Sequence, residues 1–486
     1  MRRVLASLAT ALFIAVPLAA RDARPATKVR PYVYESAKHD KVDADLGTFW
    51  VPENRNDPES RWIQLAYVRF KSTSKTPGNP VVYLAGGPGG SAVGAAKGSR
   101  FPLFMAMREV GDVIAFDQRG TGMSQPDIQC TDPLQLPLDA QTRDAVIKRY
   151  IEVSRDCVEY WHDWQRVDLR GYNTNENADD LEELRKVLGA NKLDLWSISY
   201  GTHLALAMIR RHPSSIGRAM LFGTEGPDHT LKLPSNIDAH IAALGEALKR
   251  DPEWNARIPD FVALVRDVHA KLDAQPATAE IIDPTTKQKV QVPVTKFVLQ
   301  AFTANNEGTE TAARFPAMYY AASQGDYRPF AQWWLAFTRS TIGNAMSFMM
   351  DCYSGATAAR RERIAREAKT AMFSNYADQV FPDVCEAWGN PDLGDAFRAP
   401  VKSDVPALFV SGTLDGRTPV SNAEEYAAGF SHAHHLILDG AVHSDPLFLS
   451  SPKILQTMIA FLRGENLPPR TEIVVEQPLK FAPLKK

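Results

Sequence analysis

The chain has 486 residues, long enough for one large core or for a core that carries an insertion. Its hydrophobic fraction of 44% is that of a globular protein, which excludes a disordered chain and a polytopic membrane protein. A net charge of −2 and a pI near 6.6 leave no basic field to draw nucleic acid or anionic lipid.

The N-terminal stretch "MRRVLASLATALFIAVPLAA" runs from two arginines through an apolar segment to small residues. That is the order of a secretory signal peptide, so residues 1–20 are expected to be removed, with cleavage after Ala20 or Ala19. The apolar run is short for a membrane span, so no stable insertion is expected after cleavage. No cysteine follows the run to take a lipid. The protein is expected outside the cytoplasm, in a periplasm or in the medium. Four cysteines in an exported chain point to disulfides, and they allow three pairings. The near-neighbour pairs Cys130–Cys157 and Cys352–Cys385 are the simplest, with buried free thiols as the alternative. No two cysteines stand at C-x-x-C spacing, so no metal site is expected.

Beyond the leader, "GTFWVP" and "WIQLAYVRFK" read as an antiparallel pair separated by the polar "ENRNDPES". "PVVYLAGG", "DVIAFDQRGTG", "LDLWSIS" and "RAMLFG" are apolar runs that end in loops. "NADDLEELRKVLG" and "YGTHLALAMIRRHP" lie between them and read as helices. Continuous apolar strands alternating with helices predict an α/β fold, a mostly parallel sheet covered on both faces. From 231 to 399 the pattern turns mainly helical, with one candidate hairpin in "ATAEIIDPTTKQKVQVPV". "VPALFVSGTLDGRTP" and "HHLILDGAVHS" then resume the strand-and-loop design, and "SPKILQTMIAFLRG" adds a helix. The expected organisation is a core over 21–230, a helical lid over 231–399, and the rest of the core over 400–486. The proline-containing tail from Glu465 is expected to run extended along the surface.

In open α/β sheets functional groups gather outside the carboxyl ends of the strands. Those ends here carry the glycines of "AGGPGG", then Asp117, Ser199, Thr224-Glu225, Asp415 and His443. Serine, aspartate and histidine in that order match the triad order of α/β-hydrolases, in which the serine sits on a sharp strand-to-helix turn. The turn needs small residues two places either side of the nucleophile. Ser197 and Gly201 supply them, so the motif is S-x-S-x-G rather than G-x-S-x-G. Ser199 is the expected nucleophile, His443 the general base, and Asp415 the acid that orients the base. Ser197 within the strand and Asp439 beside the base are the rival positions. His203 falls in the following helix, where packing is the expected role. An aspartate nucleophile, as epoxide hydrolysis or dehalogenation requires, is absent from the elbow. "LAGGPGG" has neither the G-x-G-x-x-G spacing of a dinucleotide fold nor the Gly-Lys-Ser/Thr of a P-loop. Its glycines instead let backbone approach a substrate oxygen, and the amides of Gly87 and Tyr200 are the expected oxyanion donors.

"GGPGG", "DQRGTGMS", "SISYGT", "SGTLDGRTP" and "DGAVHS" together resemble the proline iminopeptidase and tripeptidyl aminopeptidase group of α/β-hydrolases. "FPAMYYAASQGDYRPF" and "MMDCYS…VCEAWG" are similar to its secreted tripeptidyl-aminopeptidase branch. The resemblance runs from about Gly47 to the C-terminus. It implies the same triad, a bond between the cysteines around the return from lid to core, no cofactor, and a peptide or small-molecule substrate. One departure stands out: the branch commonly reads "DGVVDP" where this chain reads "FGTEGP", which puts Glu225 near the pocket. An aminopeptidase needs a carboxylate for the substrate ammonium, and Glu225, Glu307 and Glu310 are the candidates. The leading expectation is a secreted serine aminopeptidase. The alternatives are an esterase or small-molecule amidase with the same triad, and a non-catalytic binding protein of the same fold.

Overall fold

The apolar runs bury themselves completely. In a computed structural model that describes residues 24–378 and 380–483, every residue of Val81–Leu84, Val113–Asp117 and Ala407–Gly412 is buried. Strands of this kind need cover on both faces, and here they have it. One apolar cluster packs Leu195, Leu204 and Leu221 on one side. Another packs Tyr83, Trp196 and Phe448 on the other.

In chain order the strands are β1 (Lys28–Glu35), β2 (Lys41–Pro52), β3 (Trp62–Phe70), β4 (Val81–Leu84), β5 (Val113–Asp117), β6 (Gln129–Pro133) and β7 (Leu193–Ser199). They continue with β8 (Ile216–Thr224), β9 (Ala277–Ile282), β10 (Lys289–Val294), β11 (Thr341–Asn344), β12 (Ala407–Gly412), β13 (Ala433–Asp439) and β14 (Arg470–Val474). Ten of them form one sheet in the order β1-β2-β3-β5-β4-β7-β8-β12-β13-β14. The first strands pair antiparallel, and every pairing from β5–β4 through to β14 is parallel. β4 lies between β5 and β7, so the order reverses there, which is where an open α/β sheet forms its crevice.

The expected antiparallel pair is β2–β3, and the expected hairpin is β9–β10. Two edge strands go beyond the sequence reading. β1 precedes the point where that reading begins. β14 lies in the tail expected to run extended along the surface; Arg470–Val474 is extended there and pairs in parallel with β13. β14 alternates between exposed and half-buried positions, and β1 is exposed along most of its length but for Tyr32 and buried Tyr34, as edge strands are.

Among the described residues, the segment between β8 and β12 adds no strand to the large sheet. It is mostly helical and crosses back over the core. Its short strand β11 pairs antiparallel with β6 of the core. Asn344 at the end of β11 donates to Gly120 O at 2.8 Å, and Ser347 Oγ donates to Pro88 O at 2.6 Å. Two disulfides tie the same region: Cys130–Cys157 joins β6 to the helix Arg143–Val158, and Cys352–Cys385 joins the helix Ala345–Ser354 to the turn Asp383–Trp388. These are the near-neighbour pairs. The expected leader, residues 1–20, lies outside the described residues. Among the described residues no helix is long and apolar enough to cross a membrane.

Candidate active site

β7 ends in Ser199, and the helix Tyr200–Arg211 starts at once. No residue is left for a loop, so the serine absorbs the whole turn. Its φ of 55° and ψ of −128° are a conformation that a side-chain-bearing residue adopts only under strain. Neighbouring backbone leaves no room for anything larger. A Cβ on Gly201 would collide with Leu84 O, and one on Gly86 would stand 2.9 Å from Ser199 Cβ. Ser199 is part-exposed, whereas Ser197 is fully buried and donates to Met220 O at 2.8 Å. Ser197 therefore serves the fold.

The glycine loop after β4 is held by the end of β5. Asp117 accepts from Ser91 Oγ (2.8 Å) and from the amides of Val93 (3.0 Å) and Met123 (2.8 Å). Gln118 Nε2 donates to Ala85 O at 3.1 Å. Arg119 is fully buried and spans Asp180 with two bonds of 2.7 Å, so "DQRG" braces the loop rather than lining it. Gly87 has φ +121°, which favours glycine. Tyr200 opens a helix, where the amides of the first turn have no intrahelical acceptor.

The loops after β12 and β13 meet. His443 Nδ1 lies 2.7 Å from Asp415 Oδ2. Asp415 Oδ1 accepts the amides of Arg417 (3.0 Å) and Thr418 (2.9 Å), and Thr418 Oγ1 donates to Oδ2 at 2.7 Å. Four donors thus surround one buried carboxylate. The carboxylate side fixes which ring nitrogen of His443 carries hydrogen and leaves Nε2 to face away from it. A Cβ on Gly223 would stand 3.0 Å from His443 Cε1, and the next residue, Thr224, is in register with Ser199. The imidazole therefore lies against the end of β8, beside the elbow. The rival Asp439 accepts from Thr413 Oγ1 at 3.0 Å instead. His203 is buried between Gly226 O (3.1 Å) and Ser354 Oγ (3.0 Å), and burial holds its imidazole down to about 4. Its role is packing.

Residues 79–268 match the model described as alpha/beta hydrolase fold, and residues 370–473 match that described as TAP-like protein. The chain belongs to the α/β-hydrolase superfamily. This α/β-hydrolase is 24% identical over 470 residues to "Serine protease Hip1" of Mycobacterium tuberculosis, covering 87% of this chain and 86% of that protein. It is 28% identical over 256 residues to a "Tripeptidyl aminopeptidase" of Streptomyces lividans, covering 48% and 46%. It is 31% identical over 160 residues to the "Putative hydrolase YuaR" of Escherichia coli, covering 33% and 30%.

Acidic groups collect beside the triad loops of this α/β-hydrolase. Glu225 is buried with Lys232, whose Nζ lies 2.8 Å from its Oε2 and also donates to His229 O at 2.9 Å. Burial pushes the Glu225 carboxyl up, but Lys232 and His203 override it and hold the group below the usual range. Glu307 is fully buried and neither carboxyl oxygen has a hydrogen-bond partner; its nearest cation is Arg417, at 4.0 Å. Burial raises it to about 8. Asp378 accepts the Lys232 amide at 2.8 Å and is raised by desolvation to about 6. Asp351 is raised well above its usual range, by desolvation and then by Glu225. Glu310 stands apart, exposed on the turn Glu310–Arg314.

Asp351, Asp378, Lys232 and Thr418 escaped the sequence reading. Only Thr418 had a local signal, as part of "DGRTP". The other three come together through the packing of distant segments.

Proposed function

We propose that this α/β-hydrolase is an exported serine aminopeptidase that works through an acyl-enzyme. Ser199 attacks the carbonyl carbon of the scissile bond while His443 takes the hydroxyl proton. Asp415 keeps the imidazole oriented and stabilises its charged form. The amides of Gly87 and Tyr200 receive the developing oxyanion. His443 returns its proton to the leaving amine, and water then attacks the acyl-enzyme by the same route in reverse. An esterase would need the same parts.

What favours a peptide with a free N-terminus is one observation: a surplus of carboxyls next to the triad loops, with Glu225 and Glu307 buried and Asp351 and Asp378 half-buried. Glu225, Glu307, Asp351 and Asp378 share Lys232 and Arg417 as cations, and Asp378 also feels Arg360. Lys232 is already matched to Glu225. Glu307, with both oxygens unpartnered, has capacity for an incoming ammonium group. Glu307 is therefore the preferred anchor, Glu225 supports it, and exposed Glu310 is not retained. The names of the relatives, a serine protease and a tripeptidyl aminopeptidase, support the same reading.

Two disulfides support export to an oxidising compartment, periplasm or medium, after loss of residues 1–20. N-terminal sequencing of the mature protein tests this: a start at Arg21 or Ala20 is expected, and an intact Met1 on exported protein would refute it.

The decisive assay compares aminoacyl, tripeptidyl and N-blocked p-nitroanilides with p-nitrophenyl acetate and butyrate, for wild type and Ser199→Ala. Free-amine peptides are expected to be cleaved best, and Ser199→Ala to be inactive on everything. Cleavage of esters alone would leave the triad standing and assign the protein to the esterases.

A further inference from the structure

We propose that His240, in the insertion, is a positioning residue for the catalytic pair. It acts on the base through the main chain of Gly308 and on the acid through Gly416. The inference rests on the triad reading above and adds a residue that neither the triad nor the carboxyl cluster includes.

The contacts form a short chain. His240 lies on the helix Pro234–Lys249 and is buried. Its Nε2 accepts the Gly308 amide at 3.1 Å. The carbonyl of that same Gly308 accepts the His443 amide. Gly308 has φ +70°, and a Cβ there would collide with Gly416 N and stand 3.1 Å from Asp415 C. The ring of His240 also reaches the acid loop directly, since a Cβ on Gly416 would stand 2.9 Å from its Cβ and Cγ. One imidazole therefore presses on the loop that carries the acid and, through one glycine, fixes the backbone of the base.

Packing alone does not require a histidine at this position. The ring meets Phe315 edge-on, with centroids 6.2 Å apart, a setting that an aliphatic side chain would also fill. What an aliphatic residue lacks is an acceptor for the Gly308 amide, and a buried amide without a partner is costly. Burial holds the His240 imidazole down to about 4, so the ring stays neutral and able to accept across the neutral pH range. Gly308 is then fixed from both sides, and the His443 amide has a fixed acceptor.

The test uses a small ester, which has no free amine for the carboxyl cluster to hold. Purified wild type, Ser199→Ala, His240→Leu, His240→Gln and Gly308→Ala are compared for hydrolysis of p-nitrophenyl acetate and for labelling by a fluorophosphonate. His240→Leu is expected to lower kcat and the labelling rate roughly tenfold or more with little change in KM, because small misplacements of catalytic groups cost rate steeply. His240→Gln, whose side-chain oxygen can accept from Gly308, is expected to recover most of the loss. Gly308→Ala is expected to lower kcat as His240→Leu does. A folded His240→Leu protein with wild-type kcat, or a Gln variant as impaired as Leu, would overturn the proposal. If the Leu variant does not fold, Gly308→Ala decides: a lower kcat supports the proposal and an unchanged one overturns it. A wild type that neither hydrolyses the ester nor takes the label would remove the triad reading, and this inference with it. Labelled wild type with unaffected variants would remove this inference alone.

Discussion

Lys232 places its ammonium 2.8 Å from Glu225 Oε2 in a compartment closed to solvent, so the chain supplies its own cation to the acid that sequence alone offered to the substrate. Removing one member of such a pair leaves the other charge buried and uncompensated. Glu225→Gln is expected to cost roughly 3–5 kcal/mol of stability. Adding Lys232→Met is expected to restore most of it. Urea unfolding of the single and double variants measures both, and a single variant as stable as wild type would show that the pair is not a closed one.

Glu307 gives a stability signature that depends on pH. Its carboxyl keeps its proton in the folded protein up to about pH 8, whereas the unfolded chain loses it near the ordinary value of 4.5. Across that window the folded state binds the extra proton, so stability falls as pH rises from about 4.5 to 8 and levels off above. Glu307→Gln mimics the protonated form and removes that fall. The variant is expected to match wild type at pH 5 and to exceed it at pH 8, in urea midpoints measured at both. In the proposed reaction, above about pH 8 where Glu307 is charged, the same variant raises KM for free-amine peptides and leaves p-nitrophenyl acetate unaffected.

The acid of the pair holds the tautomer of His443. Asp415→Asn replaces an acceptor with an amide that can present N–H to Nδ1, which favours the wrong tautomer. The expected loss in kcat is roughly 10⁴-fold, with the fold intact by circular dichroism. Thr418→Val is milder. It removes a hydroxyl that donates to the same oxygen as His443, at 2.7 Å, and so leaves the carboxylate more negative toward the ring. The expected loss in kcat is far smaller than that of Asp415→Asn, and Thr418→Ser is expected to match wild type.

Reduction of the disulfides is expected to lower the melting temperature. The loops they close span 27 and 33 residues, worth roughly 3–4 kcal/mol each in the chain-entropy account. Scanning calorimetry with and without reductant, on protein whose thiols have been counted by mass spectrometry, measures the effect. An unchanged melting temperature after full reduction would refute it.

The positions of Ser199, Asp415 and His443 were legible because each follows a run of apolar residues that can only be a buried strand. Strand ends in this fold converge by rule, so reading the runs amounts to reading the site. The edge strands were less legible. Lys28–Glu35 and Arg470–Val474 bury little, so their sequences carry little apolar signal. Least legible were His240, Gly308, Asp351 and Asp378. Their roles depend on which helix of the insertion packs over which loop of the core, and no local spacing encodes that. The three glutamates picked for charge alone ended in three environments: Glu225 paired, Glu307 buried without a hydrogen-bond partner, Glu310 in solvent.

The pairing of β11 with β6 has a consequence for how the insertion can move. The insertion is hydrogen-bonded into the core as a strand and bonded again through Asn344 and Ser347 to the loops after β5 and β4, while one disulfide stiffens the core side of the pairing and the other the insertion side. Swinging it away as a rigid flap would break the strand pairing and both side-chain bonds together. The insertion is therefore a wall seamed to the loops after β4 and β5 rather than a door, and it travels with them.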